Sequence, residues 1–434
     1  MNPYIESVVG HSRRTFIKKT ALGAAGLAVA TSARSYAQIV GANDRIRVAV
    51  IGLKRRGIPH LISLCKMPNV EVTYICEVDS VQMEKGLEAA RQHSDRLPKT
   101  ETDYRRIVEK SDVDAVFLAT PDHWHAYGAL LALKHGKHVY VEKPCSHNLA
   151  EDDLLMAAEK KFPDLKIQMG SQRRSSPEIT EVIQAIHGGV IGDPYKALAF
   201  YTNSRGRVPN PKEVDPPANL NWDLWQGPAP RRQFLDIIAD YNWHWDWHWG
   251  TAESANNGTH EMDVGRWALG VTYPELVQAE SGKFHFVDDG WQMYDTMLVT
   301  FRFPGNKVLQ WDGASRNGYQ TYGAGRGTII YGTGGSVFVN QDIYRIYDRD
   351  GKLLKERVSE EQEGGVVLGG GGGVTDRHIL NFLEAIRGNA SLTAPMAIGA
   401  VSTHLTHNTN ISSRMSDARL EIDPQTGKFM DQSV

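Results

Sequence analysis

The sequence predicts an α/β chain, with an N-terminal doubly wound parallel sheet and a C-terminal α/β region built on a large, mainly antiparallel sheet. Three observations carry this. Short, almost wholly apolar runs alternate with helical patterns between residues 46 and 168, as strands buried on both faces and joined by crossover helices do. The first of these runs ends in a glycine turn. From Tyr294 onward, strand patterns separated by turn residues dominate instead.

The 434 residues are enough for two or three units, and the net charge of −3 points to no polyanionic partner such as nucleic acid. Three widely spaced cysteines, Cys65, Cys76 and Cys145, make neither a disulfide framework nor a CxxC metal site, and read as small buried residues. Residues 1–37 read as an export signal. Ser12-Arg13-Arg14-Thr15-Phe16-Ile17-Lys18 has the twin-arginine pattern, a mildly apolar run follows from Thr20 to Ala30, and Ser35-Tyr36-Ala37 gives a small-x-small cleavage site. The apolar run is too short to anchor the chain stably in a membrane. The expected partner is therefore the twin-arginine export machinery, the expected location periplasmic or otherwise extracytoplasmic. The expected division is 1–37 signal, 44–168 dinucleotide-binding domain and 169–434 substrate and oligomerisation domain.

Within the first domain, Arg45–Gly57 reads RIRVAVIGLKRRG. Ile46, Val48, Val50 and Ile51 suit a buried strand. Gly52 and Gly57 occupy the first and third positions of the G-x-G-x-x-G dinucleotide turn, with Lys54 at the second. A helix is expected over Pro59–Met67 and a strand over Val70–Cys76. Glu77 closes that strand, where a carboxylate can accept from a ribose diol and would repel a 2′-phosphate, so NAD is expected rather than NADP. Asp79 is the alternative carboxylate. Lys54, Arg55 and Arg56 add positive charge to the turn. A helix over Asp103–Lys110, a strand over Ala115–Ala119, the turn Thr120-Pro121-Asp122-His123-Trp124-His125, a helix over Ala126–His135 and a strand over His138–Glu142 follow. In such sheets ligands sit beyond the carboxyl ends of the strands, so Gly52, Glu77, Thr120 and Lys143 should line one crevice.

The segments VIGLKRRG, ATPDHWHA and VEKP, in this order and spacing, resemble the Gfo/Idh/MocA family of NAD(P)-dependent sugar oxidoreductases, and the resemblance extends over nearly all of the chain after the signal. It implies a Rossmann domain plus a C-terminal domain whose mostly antiparallel sheet walls the active site and often forms a homo-oligomer interface. It further implies cofactor contacts at Gly52, Lys54, Arg55, Arg56, Gly57, Glu77, Thr120, Pro121, Asp122, His125, Glu142, Lys143, Gln172 and Arg173. Oxidising a sugar hydroxyl requires a hydride acceptor, which the nicotinamide supplies, and a base. A buried lysine in the Glu142-Lys143-Pro144 triplet suits the second role. Pro144 fixes the backbone there in cis or trans.

In the second domain a helix is expected over Pro177–Gly188 and a strand over Tyr195–Thr202. Tyr241–Trp249 reads YNWHWDWHW, whose flat rings suit sugar stacking as well as core packing. His244 and His248 are four apart, but two histidines without a third ligand make no metal site, and none is expected. Asn256-Asn-Gly-Thr-His260-Glu-Met-Asp263 is similar to the family pattern D-x-G-x-H-x-x-D at the start of a helix. The resemblance makes His260 the catalytic partner of Lys143, aided by Asp263 or Glu261. Asn256 departs from it, because an amide cannot act as a base. Strands are expected over Tyr294–Phe301, Lys307–Trp311, Gly327–Tyr331 and Ser336–Asn340. A hairpin from Tyr344 to Arg357 follows, then a flexible Gly369–Gly373 loop, a helix from a Thr375-Asp376 cap to Arg387, and a last helix over Thr393–Asn410 carrying His404 and His407.

The resulting expectation is an exported NAD-dependent oxidoreductase of a sugar or glycoside. Its cofactor is held tightly because free dinucleotide is scarce outside the cytoplasm, with C3 as a fitting carbon. Two alternatives stay open: a glycosidase that works through transient oxidation at C3, and a sugar- or NAD-binding protein that lost catalysis at Asn256.

Overall fold

A computed structural model describes residues 45–238, 241–359 and 373–431; the stretch read as an export signal and most of the glycine run lie outside them. The first sheet is parallel, in the order β3-β2-β1-β4-β5-β6. Its strands are β1 (Ile46–Ile51), β2 (Val70–Cys76), β3 (Lys99–Glu101), β4 (Ala115–Leu118), β5 (His138–Val141) and β6 (Ile167–Met169). This is the doubly wound order whose switch point lies between β1 and β4. The intervening helices are α1 (Gly57–Lys66), α2 (Ser80–His93), α3 (Tyr104–Val108), α4 (Asp122–Lys134) and α5 (Leu149–Lys161).

Two of these helices, α2 and α5, are additions to the sequence reading. Asp79 and Asn148 cap them, each side chain accepting from a backbone N–H in the first turn. The helix expected from Ala126 starts four residues earlier. Pro121 is extended and stands at the cap, so Asp122-His123-Trp124-His125 form its first turn rather than a loop.

The second sheet runs β15-β14-β13-β12-β7-β10-β9-β8-β16. It comprises β7 (Pro194–Ser204), β8 (Leu276–Gly282), β9 (Thr296–Phe303), β10 (Lys307–Ala314), β12 (Arg326–Gly332), β13 (Gly335–Val339), β14 (Ile343–Asp348), β15 (Leu353–Val358) and β16 (Leu420–Glu421), with the short β11 (Arg316–Asn317) beside β7. Every pairing in it is antiparallel except that of β10 with β7. Its helices are α6 (Pro177–His187), α7 (Trp222–Gln226), α8 (Thr259–Leu269), α9 (Gly373–Ile386) and α10 (Met396–Arg414). A strand at β8 was not foreseen. The expected Thr375-Asp376 cap is replaced by other contacts: both residues lie inside α9, where Thr375 accepts from Arg56 and Asp376 from Ser63.

Each sheet has its own apolar core, and α10 contributes to both. Met396 and Ala400 pack in the first core and Leu405 in the second. Both sheets thus belong to one compact unit, Arg47–Val434. Among the described residues no helix is long and apolar enough to cross a membrane.

Tyr241–Trp249 is neither a continuous helix nor a strand. A 3-10 turn over Asn242–Trp245 leads into further turns, with Trp245 and Trp249 buried. His244 Nδ1 faces the Tyr241 carbonyl and His248 Nε2 the Pro230 carbonyl, so the two rings have separate partners.

Candidate functional site

The carboxyl ends of β1, β2, β4 and β5 open into one cavity of about 900 Å³, closed on its far side by the second sheet and the Tyr241–His244 turn. Among the residues predicted for the site, all but Gly57 and Asp263 line it. Gly52 has φ +84°, and a Cβ there would meet the Ala119 carbonyl oxygen at 2.7 Å. Gly57 lies behind the turn, where a Cβ would sit 1.7 Å from the Gly52 carbonyl oxygen. The two glycines let β1 turn tightly into α1 and bring backbone amides to the cavity floor. Gly57→Ala is therefore expected to cost about 1–3 kcal/mol in urea unfolding through a forced backbone shift, and to lower the dinucleotide content of the purified protein.

Glu77 braces this turn from β2. One oxygen accepts from Leu53 N–H at 2.7 Å, the other from Val78 and Asp79 N–H at 2.8 and 3.1 Å. Burial raises its pKa, partly offset by these backbone bonds. The carboxylate still borders the cavity at the strand end, and its unused lone pairs suit a diol. Above it the C-terminal region folds over the β2–α2 turn. Asn221 N–H donates to the Val78 carbonyl and Ser80 N–H to the Asn219 carbonyl, both at 2.9 Å, and Asn219 Nδ2 reaches Asp79 at 2.7 Å. Trp225 and Trp243 continue this wall, and Trp225 packs with Trp222 and Trp249.

Several predicted contacts are engaged with protein partners. Glu142 is buried and accepts from Arg56 Nε at 2.9 Å, His60 Nε2 at 2.8 Å and Gln172 Nε2 at 3.0 Å. Burial pushes its pKa up, but the Arg56 charge and the His60 bond outweigh this and hold it well below the usual range. Its role here is to fix Arg56 and Gln172 against β5. Arg173 pairs with the buried Glu261. His125 is pinned between the Thr120 and Pro144 carbonyls, at 2.8 and 2.6 Å. Asp122 is buried and accepts from Thr251 Oγ1; burial raises its pKa against the nearby charges of His125 and Lys143.

Lys143 follows β5 through a cis bond to Pro144 and sends its amine into the cavity. Nζ donates to the Asn256 carbonyl at 2.7 Å, with Asn256 Oδ1 at 3.4 Å. Burial lowers its pKa below the ordinary lysine value, opposed chiefly by Asp122 and then Glu142. Asn256 sits in a π-turn, Ser254–Gly258, that leads into α8. Its Nδ2 donates to Tyr241 Oη at 2.9 Å and Glu253 Oε1 at 3.1 Å, which turns Oδ1 toward Lys143 beside the backbone carbonyl that accepts from it. The carboxylate missing at position 256 thus reappears at Glu253, which is buried and paired with Arg205 Nε at 2.8 Å. His260 borders the cavity from the first turn of α8. Burial, then the charge of Lys143, holds its pKa well below the ordinary value, so the ring is neutral.

Asp263 is the correction. It lies one turn further along α8, buried behind the cavity wall, where its carboxylate accepts from Arg174 Nε at 2.8 Å and from Ser402 Oγ. An acid placed so joins α8 to α10 and cannot touch a ligand in the cavity. Sequence reading passed over Glu253, Arg205 and Arg326, which form the cavity wall or support it, whereas Tyr241 belongs to the aromatic stretch it singled out.

The turn, the braced carboxylate and the cavity size fit a dinucleotide. Comparisons agree with that geometry. Residues 46–168 match the Gfo/Idh/MocA family, described as an oxidoreductase family with an NAD-binding Rossmann fold. The chain is 29% identical over 200 residues to a glycosyl hydrolase family 109 protein of Saccharopolyspora erythraea, covering 42% of this chain and 43% of the relative. It thus spans less than half the length of that relative. It is 26% identical over 295 residues to the uncharacterised oxidoreductase YrbE of Bacillus subtilis, covering 68% and 73% of the two chains. Among solved structures, a levoglucosan dehydrogenase in complex with NADH and levoglucosan superposes with a TM-score of 0.67 at 20% identity, over 87% of this chain and 99% of that one, which shows a shared fold. Residues 46–168 thus form a Rossmann domain that matches the NAD-binding domain of the Gfo/Idh/MocA oxidoreductases.

Proposed function

We propose that the chain is an exported oxidoreductase of the CH–OH group of a sugar or glycoside, working with NAD that stays bound between turnovers. The observation that carries this is Lys143: a half-buried amine at a strand end of the dinucleotide crevice, beside a neutral His260 and held by Asn256. Gly52, Lys54, Glu77 and Thr120 would hold the dinucleotide, and when bound it supplies the hydride acceptor for the carbinol carbon. Lys143, as the neutral amine, takes the hydroxyl proton. His260 orients the same hydroxyl by hydrogen bonding. Asn256 holds Lys143 in place without competing for the proton, because an amide has no basic lone pair of its own to offer. The cover of Asn219–Asn221 and Trp225 over the β2–α2 turn supports slow cofactor release. Twin-arginine export to the periplasm, self-association and oxidation at C3 belong to the same proposal, supported by the Ser12–Ala37 pattern and the family resemblance.

The likeness to a glycosyl hydrolase family 109 protein favours one second reading, glycoside cleavage through transient oxidation at C3. A ketone there acidifies the neighbouring C–H and so assists loss of the aglycone. The test is common to both. Protein purified after export is expected to carry NAD, and a glycoside panel should raise the reduced-nicotinamide absorbance. Aglycone release without net reduced cofactor selects the second reading. Protein that carries no dinucleotide and gives no spectral change with NAD and any sugar overturns both.

A further inference from the structure

Among the described residues, one hydroxyl on the far wall of the cavity keeps a proton that nothing accepts. It belongs to Tyr241, which stands at the head of the Asn242–Trp245 turn and lines the cavity. Its oxygen accepts from Asn256 Nδ2 at 2.9 Å. Glu253 settles the orientation of that amide. The same Nδ2 lies 3.1 Å from Glu253 Oε1, and Glu253, ion-paired with Arg205, can only accept. Nδ2 rather than Oδ1 therefore faces Tyr241, so the phenol is the acceptor in this bond and its own proton is left to give.

The ring is held in place around this proton. His244 packs against it at 4.2 Å, and the guanidinium groups of Arg55 and Arg205 lie 4.5 and 5.6 Å from its centroid. With these neighbours crowding the ring, what Tyr241 offers a ligand is the hydroxyl at its edge. Asn256 ties that hydroxyl to the base. Its Nδ2 holds the phenol oxygen, and its backbone carbonyl accepts from Lys143 Nζ at 2.7 Å, a bond the amine makes in either protonation state. One residue thus fixes a proton donor and the base in a common frame at the same end of the cavity. Lys143 takes a proton from the carbinol oxygen. Tyr241, its oxygen already engaged, meets a ligand atom that presents a lone pair.

Resting on the sugar-oxidoreductase reading above, we propose that Tyr241 is a substrate contact that sets specificity. Its hydroxyl donates to the oxygen of a free hydroxyl vicinal to the carbinol, so the sugar is oxidised within a vicinal diol of its ring. The neighbouring hydroxyl is bound and not transformed, and Tyr241 exchanges no proton in the reaction.

The experiment uses the protein with its bound dinucleotide reduced, so that a sugar binds without giving up a hydride. The probes are the methyl glycosides of glucose, galactose and mannose and, for the tightest binder, its monodeoxy derivatives, titrated calorimetrically. Loss of the vicinal hydroxyl is expected to weaken binding to the wild type by about two- to tenfold, the worth of one neutral hydrogen bond. Tyr241→Phe keeps the ring, and Asn256 keeps its bond to Glu253. This variant should weaken the parent glycoside by a similar factor, yet bind that one deoxy sugar as the wild type does. The two losses then fail to add at this position and add at the others. In turnover the variant should raise KM more than it lowers kcat and leave the pH dependence of oxidation unchanged. Wild-type protein that binds every monodeoxy sugar as tightly as the parent overturns the inference, with no need for a variant to fold. Losses that add at every position in folded Tyr241→Phe overturn it as well, as does coupling at a position remote from the oxidised carbon. A coupled position with no spectral change of the oxidised cofactor keeps the contact and sinks the oxidoreductase reading. Oxidation of a glycoside whose losses all add does the reverse, and protein that binds none of the glycosides overturns both.

Discussion

Replacing Lys143 by alanine is expected to lower the rate of sugar oxidation by about 10²–10⁴-fold, the usual worth of a positioned acid–base group, with bound NAD retained. The retention follows from the geometry. Gly52, Glu77 and Thr120 bring the dinucleotide crevice together without Lys143, whose amine bonds to Asn256 on the other wall. Lys143→Arg is the sharper test. It keeps a cation facing the Asn256 carbonyl, but a guanidinium does not give up its proton in a protein, so it cannot serve as the base. The pH dependence has a fixed sign. Burial lowers the Lys143 pKa, so its neutral form appears at a lower pH than for an exposed lysine. Oxidation should rise with pH through that value, and reduction of the keto sugar, which needs the ammonium form, should fall through it. Both limbs should vanish in Lys143→Ala. Stopped-flow absorbance of the bound nicotinamide in single turnover separates this step from product release. An ascending limb that survives in Lys143→Ala would assign the base elsewhere.

The sequence carried the N-terminal sheet well because its signals are local. Val48, Val50 and Ile51 are buried on both faces, and a continuous β-branched run is how such a strand reads. Gly52 and Glu77 are each set by the strand that precedes them. Where the signal is weak, elements were lost. In α2 only Met83, Gly86 and Ala90 are buried, so its apolar stripe consists of one large residue and two small ones. In β8 the buried positions Val277 and Ala279 alternate correctly but are too small and few to stand out. The π-turn at Ser254–Gly258 hid the acid that supports Asn256. A reader expecting a carboxylate at position 256 finds an amide, whereas the turn carries Glu253 to the same neighbourhood. Arg326 had no signal at all, since its partner Glu261 lies 65 residues away in sequence and only the β12–β7 pairing brings them together. Pattern matching placed His260 and Asp263 three apart on one helix and gave them one role. That spacing keeps them near one helix face, but almost a full turn of rise separates them, which leaves His260 bordering the cavity and packs Asp263 against α10.

That division of roles predicts the second large effect. Asp263→Ala is expected to destabilise the protein by about 3–5 kcal/mol, the cost of removing one partner from a buried ion pair. Its carboxylate accepts from Arg174 through Nε and Nη2, each at 2.8 Å, and lies 3.7 Å from Arg266 Nη2. Both guanidinium groups are nearly inaccessible, so water cannot replace the lost acceptor. Trp267 beneath Arg174, at 4.7 Å, returns only a small part of the loss. Ser402 on α10 loses its acceptor too, and with it a tie between α8 and the helix that serves both cores. Burial alone would push the Asp263 carboxyl up, but Arg174 outweighs it and the pKa is lowered. A carboxyl depressed by folding adds stability above its unfolded value of about 3.9, and that contribution is lost as pH falls through the lower, folded value. The wild type should therefore lose this stabilisation at acid pH while Asp263→Ala, lacking it throughout, shows a flatter acid limb in urea unfolding. Turnover per folded, NAD-loaded site should stay close to that of the wild type. If Asp263→Ala instead unfolds at the wild-type urea concentration and loses turnover, the acid belongs to the chemistry, and the ion pair with Arg174 is only its resting place.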